Sequence, residues 1–219
     1  MFEEQEARAN IRRNEINLNL FFLKVIKGIL CYMGDILILY YTKNDSTKKM
    51  ARAISRGIES VNNIGSIIRT VESDHYNDDD DILVSKDDLE KCHGLIIGSP
   101  THFGNMAAPL KAFFDNTTQE WFNGTLENKL GGVFTSTSSM HGGQETTLLS
   151  MMLPLIHHGM IIAGVPYSEK NLSSTKSGGT PYGPTHVSHN QLVDLTDEEK
   201  TICLSYGRRF AELVSKMNS

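Results

Sequence analysis

The sequence has no long uninterrupted apolar run, no excess of positive charge and only three cysteines, and each absence removes a class of protein. Its most apolar stretch, Leu18 to Met33, is interrupted by Lys24 and Lys27, which makes it too short and too charged for a membrane span, so no stable membrane insertion is expected. A signal peptide is disfavoured as well, because the charged run EEQEARANIRRNE precedes the stretch and no clear small-residue cleavage site follows. The formal net charge is -5. No Lys/Arg cluster offers a polyanion-binding patch, so nucleic acid is not an expected partner. Cys31, Cys92 and Cys203 are odd in number, far apart and without a C-x-x-C pair. Neither a disulfide framework nor a zinc site is indicated, and a reducing cytoplasm fits best. The chain also lacks a Walker A loop and a G-x-G-x-x-G turn, which weakens kinase and ordinary dehydrogenase readings.

What remains is an ordinary globular composition, 39% hydrophobic and 21% charged over 219 residues, enough for one sizeable α/β domain. Met33 is followed at once by Gly34 and an apolar run of strand length. Residues 1–33 therefore read as an amino-terminal extension, either a mis-assigned start or a dispensable helix, and 34–219 as the domain. DILILYY (Asp35 to Tyr41) has the character of a strand buried on both faces. In the helix that follows, Met50, Ala51, Ile54, Ile58 and Val61 recur at helical spacing.

A second strand is predicted near Ser66 to Val71, and the acidic run SDHYNDDDD after it reads as a solvated loop without the spacing of a calcium site. GLIIGSP, LGGVFTSTSS and MIIAGVPY supply three more strands, MAAPLKAFFDNTTQEWF a helix running into a loop, QETTLLSMMLPLIHHG another helix, and DEEKTICLSYGRRFAELVSKM a closing helix. Pro154 implies a kink or early break in its helix, and Gly159 a stop. Residues 168–194 form a long Gly/Ser/Thr-rich excursion. Alternating strands and helices predict a doubly wound parallel sheet of five strands with helices on both faces.

In such a sheet ligands bind beyond the carboxyl ends of the strands, where the winding reverses. TKNDST, SPTHFGN and TSTSSMHGG each follow a strand and are polar. The first can gather the hydroxyls of Thr42, Ser46 and Thr47 with backbone N–H groups around a phosphate. Taken alone, it reads first as an ordinary capped helix start.

Four segments carry a resemblance: YYTKNDSTKKMARAI, GSPTHFGNMAAPLKAFFD, FTSTSSMHGGQETTLLSMMLPLIHHGM and SGGTPYGPTH. In order and spacing they resemble the WrbA family of flavodoxin-like NAD(P)H:quinone oxidoreductases, from about Asp35 to the carboxyl end. The resemblance implies a flavodoxin-like fold, FMN as cofactor, NADH or NADPH and quinones as substrates, and a homotetramer whose subunits complete one another's flavin pockets. It assigns Thr42, Lys43, Asn44, Asp45, Ser46 and Thr47 to the phosphate loop, with Asn44 also facing substrate. Pro100, Thr101, His102 and Phe103 fall along the isoalloxazine edge, and Ser136, Thr137, Ser138, Ser139, Met140 and His141 form a third flavin loop. His157 matches a flavin-contacting histidine and Trp121 an aromatic wall of the substrate pocket. Read without the resemblance, Trp121 is an anchor for its own loop, and one of His157 and His158 is a helix-terminal cap.

Asp45 stands where the family has glycine. A carboxylate beside a phosphate is unfavourable unless it points outward, although aspartate tolerates positive φ better than most residues. The activity implied is two-electron reduction of quinones to hydroquinones by ping-pong hydride transfer, with flavin N5 rather than a side chain as acceptor and with His157 or His102 able to assist protonation. Avoiding a one-electron product suggests a role in oxidative stress. The competing readings are a flavodoxin-type electron carrier and a non-enzymatic interaction protein.

Overall fold

The computed structural model describes residues 34–74, 81–188 and 194–218. The expectations for residues 1–33 and for most of the acidic loop lie outside the described residues. The first strand, β1 (Gly34–Tyr40), begins and ends one residue earlier than the expected Asp35 to Tyr41, and Ile36, Leu37, Ile38 and Leu39 are all fully buried. An apolar run without alternation is what a strand covered on both faces requires. Next come α1 (Ser46–Glu59), β2 (Ile64–Thr70), α2 (Lys86–Lys91) and β3 (Gly94–His102). They are followed by β4 (Asn105–Met106), α3 (Ala108–Asp115), α4 (Thr118–Phe122) and β5 (Leu130–Thr137). The remaining elements are α5 (Gln144–His157), β6 (Ile161–Ile162), α6 (Lys170–Ser174), β7 (Thr185–Val187) and α7 (Asp197–Met217).

The sheet order is β2-β1-β3-β5-β6, parallel throughout. Numbering only these five strands gives 2-1-3-4-5, the flavodoxin-like doubly wound order, whose winding reverses between the first and third strands. Two short strands extend it: β4 pairs antiparallel with the end of β3, and β7 lies parallel to the end of β5. On one face Leu37, Leu39, Leu95 and Ile97 pack with Leu89 of α2, Leu110 of α3 and Leu148, Met151 and Leu155 of α5. The opposite face carries α1 and α7. There the rings of Tyr206 and Phe210 lie so close over Gly132 that a Cβ at that position would sit 2.1 Å from the Tyr206 hydroxyl oxygen.

Several elements depart from the sequence reading. In the stretch Met106 to Phe122, the loop expected after the first helix contains a second short helix, α4. Thr117 divides them, its hydroxyl donating to Phe114 O at 2.7 Å. Helix α5 continues past Pro154 to His157 and stops at Gly159, whose φ is +77. The fifth strand is only Ile161–Ile162. Helix α2 has a single buried residue, Leu89, and is held at its start by a reciprocal Ser85/Asp88 cap. With so little apolar periodicity it escapes a reading based on pattern. Within the 168–194 excursion, the described residues include a helix and a strand that its composition does not suggest, α6 and β7.

Candidate active site

Because β1 and β3 are neighbours at the point of reversal, the loops that leave their carboxyl ends open side by side, and β5 brings a third loop alongside. The three loops line one cleft of about 340 Å³. From the first come Thr42, Lys43, Asn44, Ser46 and Thr47, from the second Pro100, Thr101 and His102, and from the third Ser136, Thr137 and Ser138. Eight lining residues carry a hydroxyl, and Lys43 is the one permanently charged group among them. Donors, one cation and no carboxylate make a lining suited to a phosphate ester on a polyol chain.

The loops are tied together below the cleft. The hydroxyls of Thr47 and Ser136 share a hydrogen bond of 3.0 Å between fully buried or nearly buried groups. Thr147 of α5 donates to Thr101 Oγ1 at 3.1 Å, and Gln144 Nε2 donates to Thr137 Oγ1 at 3.0 Å. The edge of the Tyr41 ring meets His102, with ring centroids 6.4 Å apart.

Helix α1 begins without the ordinary side-chain cap. Asp45 occupies the N-cap position with φ 60 and ψ -7, makes no capping hydrogen bond, and its exposed side chain is absent from the cleft lining. The left-handed backbone that the family meets with glycine is thus kept, with the carboxylate directed away from the cleft. Phe103 is also outside. It and Gly104 have φ of +53 and +75, forming a two-residue turn between β3 and β4 in which both central residues are left-handed. The Phe103 ring is fully exposed at the tip. Ser139, Met140 and His141 run on from the third loop beyond the cleft lining, with Met140 42% exposed.

Trp121 and His157 meet in a separate pocket of about 460 Å³, between α3, α4 and the end of α5. Trp121 Nε1 donates to His157 O at 2.8 Å, which fixes the indole while leaving it half exposed. The two adjacent histidines divide their roles here. His157 is exposed and lines the pocket; His158 is buried, and its Nε2 lies 2.9 Å from Thr117 Oγ1. Since the Thr117 hydroxyl hydrogen is given to Phe114 O, that oxygen accepts from His158 Nε2–H. Burial lowers the pKa of His158, Glu120 opposes the shift, and Lys86 and His157 reinforce it, which favours the neutral ring. The cleft and the Trp121 pocket have no lining residue in common.

One cleft residue has no counterpart in the sequence reading. Ser188, just after β7, lines the cleft and donates from both its backbone N–H and its hydroxyl to Thr137 O, at 2.8 and 3.1 Å. Only recognition of β7 within the Gly/Ser/Thr-rich excursion would have located it.

A family model described as NADPH-dependent FMN reductase matches residues 39–170. A protein from Chromohalobacter salexigens named NAD(P)H dehydrogenase (quinone) is 37% identical over 199 residues, covering 84% of this chain and 99% of that protein. One of the same name from Azorhizobium caulinodans is 36% identical, covering 84% of this chain and 96% of its own length. Among solved structures, a WrbA-like flavodoxin from Agrobacterium tumefaciens superposes with a TM-score of 0.65 at 20% identity, covering 85% of this chain and 99% of that one. Flavodoxin 2 from Bacillus cereus does so with a TM-score of 0.57 at 16% identity, covering 82% and 99%. These two likenesses bear on the fold alone. By its match to the family model and its near full-length relatives, the chain belongs to the NADPH-dependent FMN reductase family and is of the WrbA type, an FMN-binding flavodoxin-like protein.

Proposed function

We propose that the protein catalyses the FMN-dependent reaction NAD(P)H + H⁺ + quinone → NAD(P)⁺ + hydroquinone, with the two substrates occupying one site in turn. The observation that carries this reading is the convergence of three hydroxyl-rich loops and Lys43 on a single cleft at the reversal point of the sheet. FMN held in the cleft would supply the redox chemistry, accepting two electrons as hydride from the nicotinamide and donating two to the quinone. The protein's part is to bind and to orient. Thr42, Ser46, Thr47, Lys43 and the start of α1 hold the phosphate, Asn44 faces the substrate side, and Pro100, Thr101 and His102 line the ring edge. Ser136, Thr137 and Ser138 close the third wall.

Trp121 walls the substrate pocket, and His157 contacts the flavin, of a neighbouring subunit. Two features support subunit association. Leu149, Leu153 and Ile156 make an exposed apolar stripe along α5, and Phe103 stands clear of its own cleft in a backbone conformation that costs a bulky residue on the order of 1–2 kcal/mol. A homotetramer accommodates both. Among the described residues no helix is long and apolar enough to cross a membrane, and Cys92 and Cys203 are free thiols. Together with the proposed substrates, the free thiols favour a cytoplasmic enzyme that limits oxidative stress by avoiding one-electron quinone products.

Anaerobic stopped-flow mixing of the FMN-loaded protein with NADH or NADPH, followed by benzoquinone, tests the cycle. Rapid bleaching and rapid quinone-driven recovery of flavin absorbance are expected. Flavin that binds without bleaching would make the protein an electron carrier; failure to bind flavin would leave a non-enzymatic interaction protein.

Asp45 offers a second test. Even directed outward, its carboxylate lies at the lip of a site for a dianion, where long-range repulsion through water is on the order of 1 kcal/mol. Asp45→Gly is therefore expected to tighten FMN binding about fivefold in low salt. A fluorescence titration at two ionic strengths checks this, because the gain should shrink as salt rises. No gain at low salt would mean that the charge is already screened from the phosphate.

A further inference from the structure

Glu199 enters the third turn position of α7 as one half of a reciprocal cap with Thr196, a task that exposed glutamates perform on many helices. Here the residue is fully buried. An enclosed carboxylate is costly unless its lone pairs are filled, and this one is filled well beyond what capping needs. Oε1 accepts from Ser177 Oγ at 2.7 Å, from Gly178 N at 2.9 Å and from Val187 N at 3.1 Å. Oε2 accepts from His186 Nδ1 at 2.7 Å and from Thr196 N at 2.9 Å. Burial by itself raises the pKa of the group, but the bonds from His186, Ser177 and Thr196 outweigh burial and bring it down to about 2.

These donors come from three separate pieces of chain, and one of them, β7, leads to the cleft. Strand β7 has three residues, too few to hold its own register. It lies along Thr135 to Thr137 of β5, and the next residue, Ser188, is the cleft residue that donates twice to Thr137 O. From the other side Thr185 Oγ1 donates to Gln144 Oε1, and Gln144 Nε2 donates to Thr137 Oγ1. Thr137 is thus gripped through β7 on one flank and through α5 on the other, and β7 is itself tied down at His186 and Val187 by one carboxylate. His186 depends on that carboxylate in turn. Its ring is buried, Nδ1 bonds to Glu199, and Nε2 has no hydrogen-bond partner among the described residues.

We propose that Glu199, with His186, is a positioning residue for the FMN cleft, holding β7 and Ser188 in the register that sets the Thr137 wall. This rests on the assignment of FMN to that cleft. Neither residue is itself part of the cleft lining, so their effect is transmitted through β7, where His186 pairs with Ser136 of β5.

The test measures FMN dissociation constants and release rates at 25 °C, with melting of the apo protein as a control. Glu199→Gln keeps the shape but, whichever way the amide lies, turns its N–H₂ toward a backbone N–H that can only donate, Thr196 N on one side or Gly178 N and Val187 N on the other. It is expected to weaken FMN at least tenfold, mostly through faster release. His186→Asn, whose amide can replace the Nδ1–H donor, should stay within threefold of wild type, whereas His186→Leu, which has no donor, should behave like Glu199→Gln. A residue serving overall stability alone would lower apo and holo melting together and leave the release rate unchanged well below the melt. Should Glu199→Gln fail to fold, His186→Leu carries the test. Folded Glu199→Gln or His186→Leu protein that binds FMN within twofold of wild type would overturn the proposal, as would His186→Asn losing FMN as severely as His186→Leu. A wild-type protein that binds no FMN would instead overturn the underlying assignment, and the proposal with it.

Discussion

FMN-loaded Trp121→Ala protein is expected to lose about 30-fold in kcat/KM for quinone, while its FMN dissociation constant changes less than threefold. The indole is half exposed and lines the 460 Å³ pocket, but it is absent from the cleft where the phosphate and ring edge are assigned. Its orientation is set from outside the pocket by the Nε1–H bond to His157 O. A flat quinone against such a face gains stacking of about 2 kcal/mol, and that is the quantity the truncation removes. Trp121→Phe, which keeps a ring and loses the bond to His157, should fall between alanine and wild type. Steady-state kinetics with a flavin titration on the same preparations decide the matter. Equal losses in quinone turnover and FMN affinity would remove Trp121 from the substrate wall and make it an anchor of its own helix.

The parts of this site that were legible in the sequence are those encoded locally. DILILYY reads as a doubly covered strand because all of its residues are apolar after Asp35, and Met50, Ile54 and Ile58 mark the buried face of α1 by their spacing. The three polar loops were visible because each follows such a strand. Even the left-handed backbone at Asp45 was foreseeable from the tolerance of aspartate for positive φ. What stayed hidden depends on partners far away in the chain. Ser188 becomes a cleft residue only because β7 docks on β5, and β7 docks through Glu199, which by sequence is one acid in a helix start reading DEEK. Trp121 and His157 are 36 residues apart, and the bond that joins them uses a backbone carbonyl, which leaves no trace in residue type. The Phe103–Gly104 turn was obscured for the opposite reason, since an aromatic is a poor choice for a left-handed position and argues locally against the turn it makes.

Gly207→Ala sets local propensity directly against packing, and packing is expected to win by a wide margin. In an isolated helix the exchange would stabilise α7 by roughly 1 kcal/mol, because glycine in a helix interior carries the larger loss of chain entropy. In the fold, a Cβ at 207 would lie 2.1 Å from Ile54 O and 3.1 Å from Ile58 N, both backbone atoms of α1. The contact is reciprocal, since a Cβ at Gly57 would lie 2.2 Å from Leu204 O. Backbone atoms of a packed helix cannot swing aside as a side-chain tip can, so α1 and α7 must separate. The overpacking cost is about 3 kcal/mol, corresponding to a fall in Tm of about 10 °C for a domain of this size. Separation also displaces the start of α1, where Ser46 and Thr47 line the cleft and Thr47 meets Ser136. FMN binding should therefore weaken together with stability, which distinguishes this variant from a substitution that merely loosens the far end of α7. Thermal melts of apo and FMN-loaded protein supply the check, and a Tm at or above that of wild type would mean that the two helices can part without loss.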